Sequence, residues 1–389
     1  MTGRPHLEET LHGRLLQDHD RDLTTAHRGE LRALARDAAP LLPGRALEQT
    51  VERVEARIRG LGPLEPLLGD PGITEVMVNG GGAVWVERHG ELIDTGVRLD
   101  EPTVLLLIER VVSPLGLHVD RANPVVDARL ADGSRVHAIV RPLSVDGPCL
   151  TIRRFGARRI ELSEVCGPGV ARLLRWAVEA RMNVLVAGGA GAGKTTLLNA
   201  MAAFVPHSER VITVEDAAEL RLPGPHVVRL ESRPPNAEGV GEVRIRDLVR
   251  SALRMRPDRI VVGEIRGGEA IDMLQAMNTG HDGSLSTCHA NSPADAVRRV
   301  ETLVLMGDVA LPLIAVREQI TSAIDLIVQI ARRPGGRRAV VAVDELATRP
   351  AADSSIGTRP LMRSGRLESL PSRPVRGDAP PPDPTWVGR

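Results

Sequence analysis

The chain has 389 residues and sets fifty basic side chains against fifty acidic ones, for a formal net charge of zero. That length predicts two domains with cores of their own, and the balance excludes a global field drawing the chain to nucleic acid or anionic lipid. Two Phe, three Trp and no Tyr leave the cores to Leu, Val, Ile and Ala, while three widely spaced cysteines predict no disulfide framework and a reducing compartment. No apolar run approaches a membrane span, and Met1 to Asp20 is polar rather than a signal peptide, so a cytoplasmic protein is expected.

Residues 1–50 are charged, with helical spacing in Leu11, Leu15, Leu16 and again in Leu31, Leu34, Ala35 and Ala38, which predicts a helical arm. A first α/β domain is predicted over 51–157. It opens with a helix that Gly60-Leu61-Gly62-Pro63 stops. Strands at 73–79 and 83–88 flank a Gly80-Gly81-Gly82 turn, 104–112 reads as a helix, and a second hairpin joins 125–130 to 135–140 through Asp132-Gly133. A strand at 150–155 closes the domain, with a short linker at 156–158. A second domain, 158–346, alternates strands and helices as a parallel sheet with crossover helices does. Its strands are expected at 182–187, 210–214, 226–230, 259–262, 284–288, 325–330 and 338–343, and helices at 195–201, 246–255, 269–277, 294–306 and 313–323. Residues 347–389 dissolve into Pro, Ser, Gly and Arg and are expected to be disordered.

Of the fifty basic residues, one is lysine: Lys194, in Gly188-Gly189-Ala190-Gly191-Ala192-Gly193-Lys194-Thr195. This is an unbroken match to G-x-x-x-x-G-K-S/T between a buried strand and a helix that opens on Thr195 and Thr196. Backbone N–H groups in such a loop wrap the phosphates and leave room for one compact ammonium, which the planar Arg fork cannot replace. The chain is therefore expected to bind a nucleoside triphosphate. Two further apolar strands aim carboxylates at the same sheet edge, where ligands of open parallel sheets collect. Val211 to Val214 delivers Glu215 and Asp216; Arg259 to Val262 delivers Glu264, with Gly263 where an Asp for Mg²⁺ is usual. Mg²⁺ would then rest on Thr195, the nucleotide and, through water, Asp216, with Glu264 polarising the attacking water. His281 and His289 bracket a short strand; their spacing is no zinc pattern, and a γ-phosphate sensor or a structural hydrogen bond fits better. Candidate arginine fingers are Arg121, Arg129, Arg135, Arg153 and Arg154 in the first domain and Arg254, Arg256 and Arg266 in the second.

The run Arg254-Met255-Arg256-Pro257-Asp258-Arg259-Ile260-Val261-Val262-Gly263-Glu264-Ile265-Arg266-Gly267-Gly268-Glu269, followed by Leu274 to His281, resembles the type II/IV secretion ATPases. It is most similar to their CpaF-like branch, which drives tight-adherence pilus assembly. Gly62 to Leu68 and Asp127 to Val136 resemble that branch's N-terminal domain, so the resemblance covers roughly 60–345. It implies a RecA-like P-loop NTPase domain behind a smaller α/β, PAS-like N-terminal domain, with ATP and Mg²⁺ as ligands. It also implies hexamers on an inner-membrane platform. By motif it carries over Lys194 and Thr195 to phosphate and Mg²⁺, Glu215 and Asp216 to the Asp box, Glu264 to the Walker B carboxylate and Gly280 to His289 to the His box. It assigns Glu264, Lys194, Glu215 and His289 to catalysis, and Arg256 joins residues 188–196 in binding nucleotide. Arg141-Pro142 departs from the Pro-Pro expected there and His137 from Asn, and the tetracysteine insert of the general secretory branches is missing. A conjugation or effector-secretion ATPase of the same superfamily shares all these motifs. A nucleic-acid translocase would need a basic groove with stacking aromatics, for which five aromatics at zero net charge give little support.

Overall fold

The computed structural model describes residues 28–40, 43–88, 90–130, 132–154, 160–233, 235, 240–307, 309–333, 336–348, 355–363 and 365–388. Leu11, Leu15 and Leu16 of the predicted arm and the whole 156–158 linker lie outside them. The chain divides into two compact units, Met1–Ala157 and Arg158–Arg389.

In the first unit, helices α1 (Arg28–Ala38) and α2 (Gly44–Arg59) pack together, burying Leu31 and Ala35 on one and Leu47 and Val51 on the other. The turn Glu65–Leu68 (α3) leads into a sheet of six strands in the order β3-β2-β1-β6-β5-β4. These are β1 (Ile73–Val78), β2 (Ala83–Arg88), β3 (Glu91–Arg98), β4 (Val125–Arg129), β5 (Arg135–Ile139) and β6 (Cys149–Arg153), all antiparallel. Helix α4 (Glu101–Val112) buries Val104, Leu107, Ile108, Val111 and Val112 with the sheet's inner residues. It starts where Asp100 accepts a hydrogen bond from Thr103 N–H at 3.0 Å. Register sets Arg129 opposite Arg135 and Arg135 opposite Arg153. Three of the candidate arginines thus share one row, ending on Glu75, whose Oε1 is 3.4 Å from Arg153 Nε. Arg154 instead points to its own fold, donating to the carbonyls of Asp70 and Ile73.

The second unit is built on nine strands in the order β15-β14-β13-β12-β7-β11-β10-β8-β9. The parallel part comprises β7 (Val184–Gly188), β8 (Val211–Glu215), β9 (Val227–Glu231), β10 (Arg259–Val262), β11 (Leu285–His289) and β12 (Leu326–Arg332). Successive residues of β7 serve opposite cores. Val184 and Val186 pack with α5 (Leu162–Val165), α6 (Pro168–Glu179) and α7 (Lys194–Ala202); Leu185 and Ala187 pack with α8 (Ile245–Ala252), α9 (Glu269–Asn278), α10 (Pro293–Leu305) and α11 (Leu313–Ala323). Helices on both faces explain why these strands read as continuous apolar runs.

The disordered tail expected at 347–389 is overturned for its described residues. Beyond the antiparallel β13 (Arg338–Leu346), strands β14 (Thr358–Arg363) and β15 (Arg366–Leu367) extend the sheet and bury Leu361, Met362 and Leu367. The chain then recrosses the amino edge of the sheet. Arg373 and Arg376 both pair with the buried Asp325 at 2.8 Å, Arg376 also reaches Asp282 at 2.8 Å, and Trp176 Nε1–H donates to Pro380 O at 2.7 Å. Backbone pairing and ion pairs order a segment whose composition promised no core.

Candidate active site

The five buried residues of β7 deliver the chain to Gly188 at the carboxyl edge of the sheet. A Cβ at Gly188 would meet Ile330 O at 2.6 Å, so only glycine lets the loop pass β12 there. Gly193 has φ +95° and precedes α7, whose first turn has no side-chain cap. An uncapped N-terminus behind a glycine loop presents its N–H groups to an anion. Gly189 and Gly191 have open space around them, Ala190 is exposed and Ala192 buried. Thr195 and Thr196 are half-buried in α7's first turn, and no hydrogen bond among the described residues engages the Thr195 hydroxyl.

Lys194 is buried, and its Nζ donates to Gly189 O at 3.2 Å. The same ammonium is 3.2 Å from His289 Nε2 and 3.6 Å from Glu264 Oε1. Burial pushes the lysine pKa down while Glu264 pulls it up. Parallel register explains the convergence: His289, the last residue of β11, lies opposite Gly188, and Glu264 leaves the adjacent β10 two residues past its end. His289 Nε2 approaches Glu264 Oε1 to 2.7 Å without hydrogen-bond alignment, so Oε1 is a buried acceptor with no hydrogen-bond partner. Burial also lowers the His289 pKa, favouring the neutral ring. His281 takes no part; it stands before β11 at the opposite edge, its Nδ1 3.2 Å from Ala276 O.

The second oxygen of Glu264 is clasped by Arg266, with Nε at 2.7 Å and Nη2 at 2.5 Å, while Arg266 Nη1 lies 3.4 Å from Asp216. Asp216 also accepts from Ser232 Oγ at 3.2 Å. Glu215 departs from the catalytic expectation. Its Oε1 accepts from Glu219 N–H at 2.9 Å and from Leu220 N–H at 3.0 Å, and the side chain is buried, so it staples its own turn. Burial raises its pKa to about 7 although these backbone donors pull it down. Glu215 also accounts for Gly263: a Cβ there would lie 2.7 Å from Glu215 Cγ. The position that Asp usually fills is closed by its neighbour.

Arg256 is exposed, has φ +53° and precedes β10 at the amino edge, so the structure does not bring it to the phosphate loop of its own chain. The sequence offered Arg266 as a candidate finger; in the structure it clasps Glu264 of its own chain, a role that its position two residues after Glu264 could have signalled. The sequence did not single out Arg338. It opens β13, no motif marks it, and its side chain rests against Gly193. The residues present suit a magnesium nucleotide: a glycine cradle, an uncapped helix start, an unengaged Thr195 hydroxyl and the orphaned Glu264 Oε1. Among the described residues no His, Cys, Asp and Glu cluster could by itself hold a metal ion.

The family model of the type II/IV secretion system protein matches residues 57–367. A protein of Mycobacterium tuberculosis named as a candidate conjugal transfer protein is 42% identical over 297 residues, covering 73% of this chain and 84% of that one. The type IV secretion system protein PtlH of Bordetella pertussis is 36% identical over 315 residues, covering 72% and 91%. Among solved structures, the pilus retraction motor PilT with bound ADP superposes with a TM-score of 0.54 at 21% identity, over 75% of this chain and 83% of that one, a likeness of fold. No described helix is long and apolar enough to cross a membrane. The chain belongs to the type II/IV secretion system protein family, on the RecA-like P-loop fold with an N-terminal α/β domain.

Proposed function

We propose that this chain hydrolyses ATP and uses the cycle to drive a membrane-embedded secretion, conjugation or pilus machine from its cytoplasmic side. The observation that carries the reading is the meeting of Lys194, His289 and Glu264 at one sheet edge, with Glu264 Oε1 left as a buried acceptor beside the ammonium. Loop N–H groups and Lys194 bind the phosphates. Glu264 Oε1 orients the attacking water and draws its proton, and Arg266 holds the carboxylate by its other oxygen. Neutral His289 can donate or accept next to the transferred phosphoryl. Thr195 directly and Asp216 through water would hold Mg²⁺, which would supply charge neutralisation at the phosphates.

Glu264→Gln tests this directly. The amide keeps hydrogen bonding but cannot take a proton, so ATP affinity should persist while phosphate release stalls. Equal loss of both would make Glu264 a metal holder, replacing the Asp that Gly263 displaces. Two relatives bear names from conjugal transfer and type IV secretion, so the cargo reading extends beyond the tight-adherence branch. Disruption of the gene, scored separately for pilus display and DNA transfer, separates these outputs.

A further inference from the structure

The β12–β13 hairpin carries charge that the site above does not use. Ile330 pairs with Val340 and Arg332 with Arg338, whereas β12 follows β7 only as far as Gln329 opposite Ala187. The hairpin therefore runs beyond the end of β7 and over the phosphate loop, close enough for Ile330 O to confront Gly188. Four arginines lie on the overhang: Arg332, Arg333, Arg337 and Arg338. Arg338 is the one pressed onto the loop. A Cβ at Gly193 would be 2.8 Å from its Cδ, 3.5 Å from Nε and 3.7 Å from Cγ. Its side chain is half-buried, and no hydrogen bond or ion pair holds the guanidinium among the described residues.

That arrangement is costly in isolation. A half-buried arginine stands beside like-charged neighbours without gaining a carboxylate. An anion on the loop would supply the missing partner, and the planar fork suits phosphate oxygens. We infer that Arg338 is a second cationic contact for the nucleotide of its own subunit, taking the diphosphate portion where it passes Gly193. This rests on the nucleotide reading above. It differs from a finger supplied by another domain or subunit, because hairpin and loop belong to one sheet.

The test is binding of fluorescently labelled ATP and ADP to the full chain, with thermal melting to confirm folding. Arg338→Met keeps methylenes on Gly193 and removes the charge. It should weaken both nucleotides about 10- to 100-fold, the range for one charge-assisted hydrogen bond. Arg338→Lys should recover part of the loss. If Arg338→Met binds as the parent does while Lys194→Ala loses binding, Arg338 merely packs and the inference is overturned. A loss confined to ATP would also overturn it, by moving the contact to the γ-phosphate. A parent chain that binds neither nucleotide would overturn the nucleotide reading itself, and this inference with it.

Discussion

Gly263 and Glu215 form one packing unit, and that unit decides how the carboxylates at the sheet edge are used. Gly263→Ala would drive a methyl to 2.7 Å from Glu215 Cγ and 3.3 Å from its Oε1. Overpacking of this kind costs about 1–3 kcal/mol, which thermal or denaturant unfolding would register. Gly263→Asp should cost more and create no metal ligand; robust folding with tighter Mg²⁺ binding would contradict the packing account. Glu215 itself makes stability depend on pH. Burial raises its folded-state pKa from 4.5 to about 7, so the folded chain holds a proton that the unfolded chain has released. Its contribution is fully present below pH 4.5 and is lost as pH rises through about 7, on the order of 3 kcal/mol in all. Glu215→Gln should flatten the fall in unfolding free energy between those pH values. An unchanged pH slope in that variant would show that the carboxyl is not the titrating group.

At the scale of elements, legibility followed burial. The strands ending at Glu215 and Val262, and the one entering the phosphate loop, were readable because each is a mainly apolar run leading to polar residues at one edge; β11, LSTCH, is equally buried but carries Ser286 and Thr287. Strand β3 was not readable. Both its faces are largely exposed, so ELIDTGVR carries no alternation, and pairing with β2 defines it. Residues beyond Leu346 escaped for another reason. Their order comes from partners far away in sequence, such as Asp325 for Arg373 and Arg376 and Trp176 for Pro380. No local pattern encodes such pairs. Arg338 was hidden in the same way, since only the register of the hairpin lays it on Gly193. The returning strap should matter for stability. Asp325 is 1% exposed, and deleting residues 371–388 would strip both guanidinium partners from it. Breaking a buried pair costs about 3–5 kcal/mol, so the truncated chain should melt well below the parent. Identical melting temperatures would return the tail to the status that composition alone gave it.

For the whole molecule, Arg256 sets the test of assembly. It is exposed at the amino edge, away from the loop of its own chain, so a role in hydrolysis would require a neighbouring copy. If rings form, turnover per chain should rise steeply with concentration, and a finger contributes on the order of 10³–10⁵ in rate where one operates. Mixing Arg256→Ala with Lys194→Ala protein should restore part of the activity if the arginine acts across a subunit boundary; mixtures as inactive as their components would remove it from the site. If a phosphate loop with one lysine performs ATP hydrolysis here, phosphate release by Lys194→Arg under saturating Mg²⁺ and ATP is the decisive measurement. The buried ammonium lies within 3.6 Å of Gly189 O, His289 and Glu264, a setting for a compact point charge that a planar fork does not reproduce. Parent protein should release phosphate and Lys194→Arg should not; near-parental turnover in the arginine variant would overturn the hydrolysis reading.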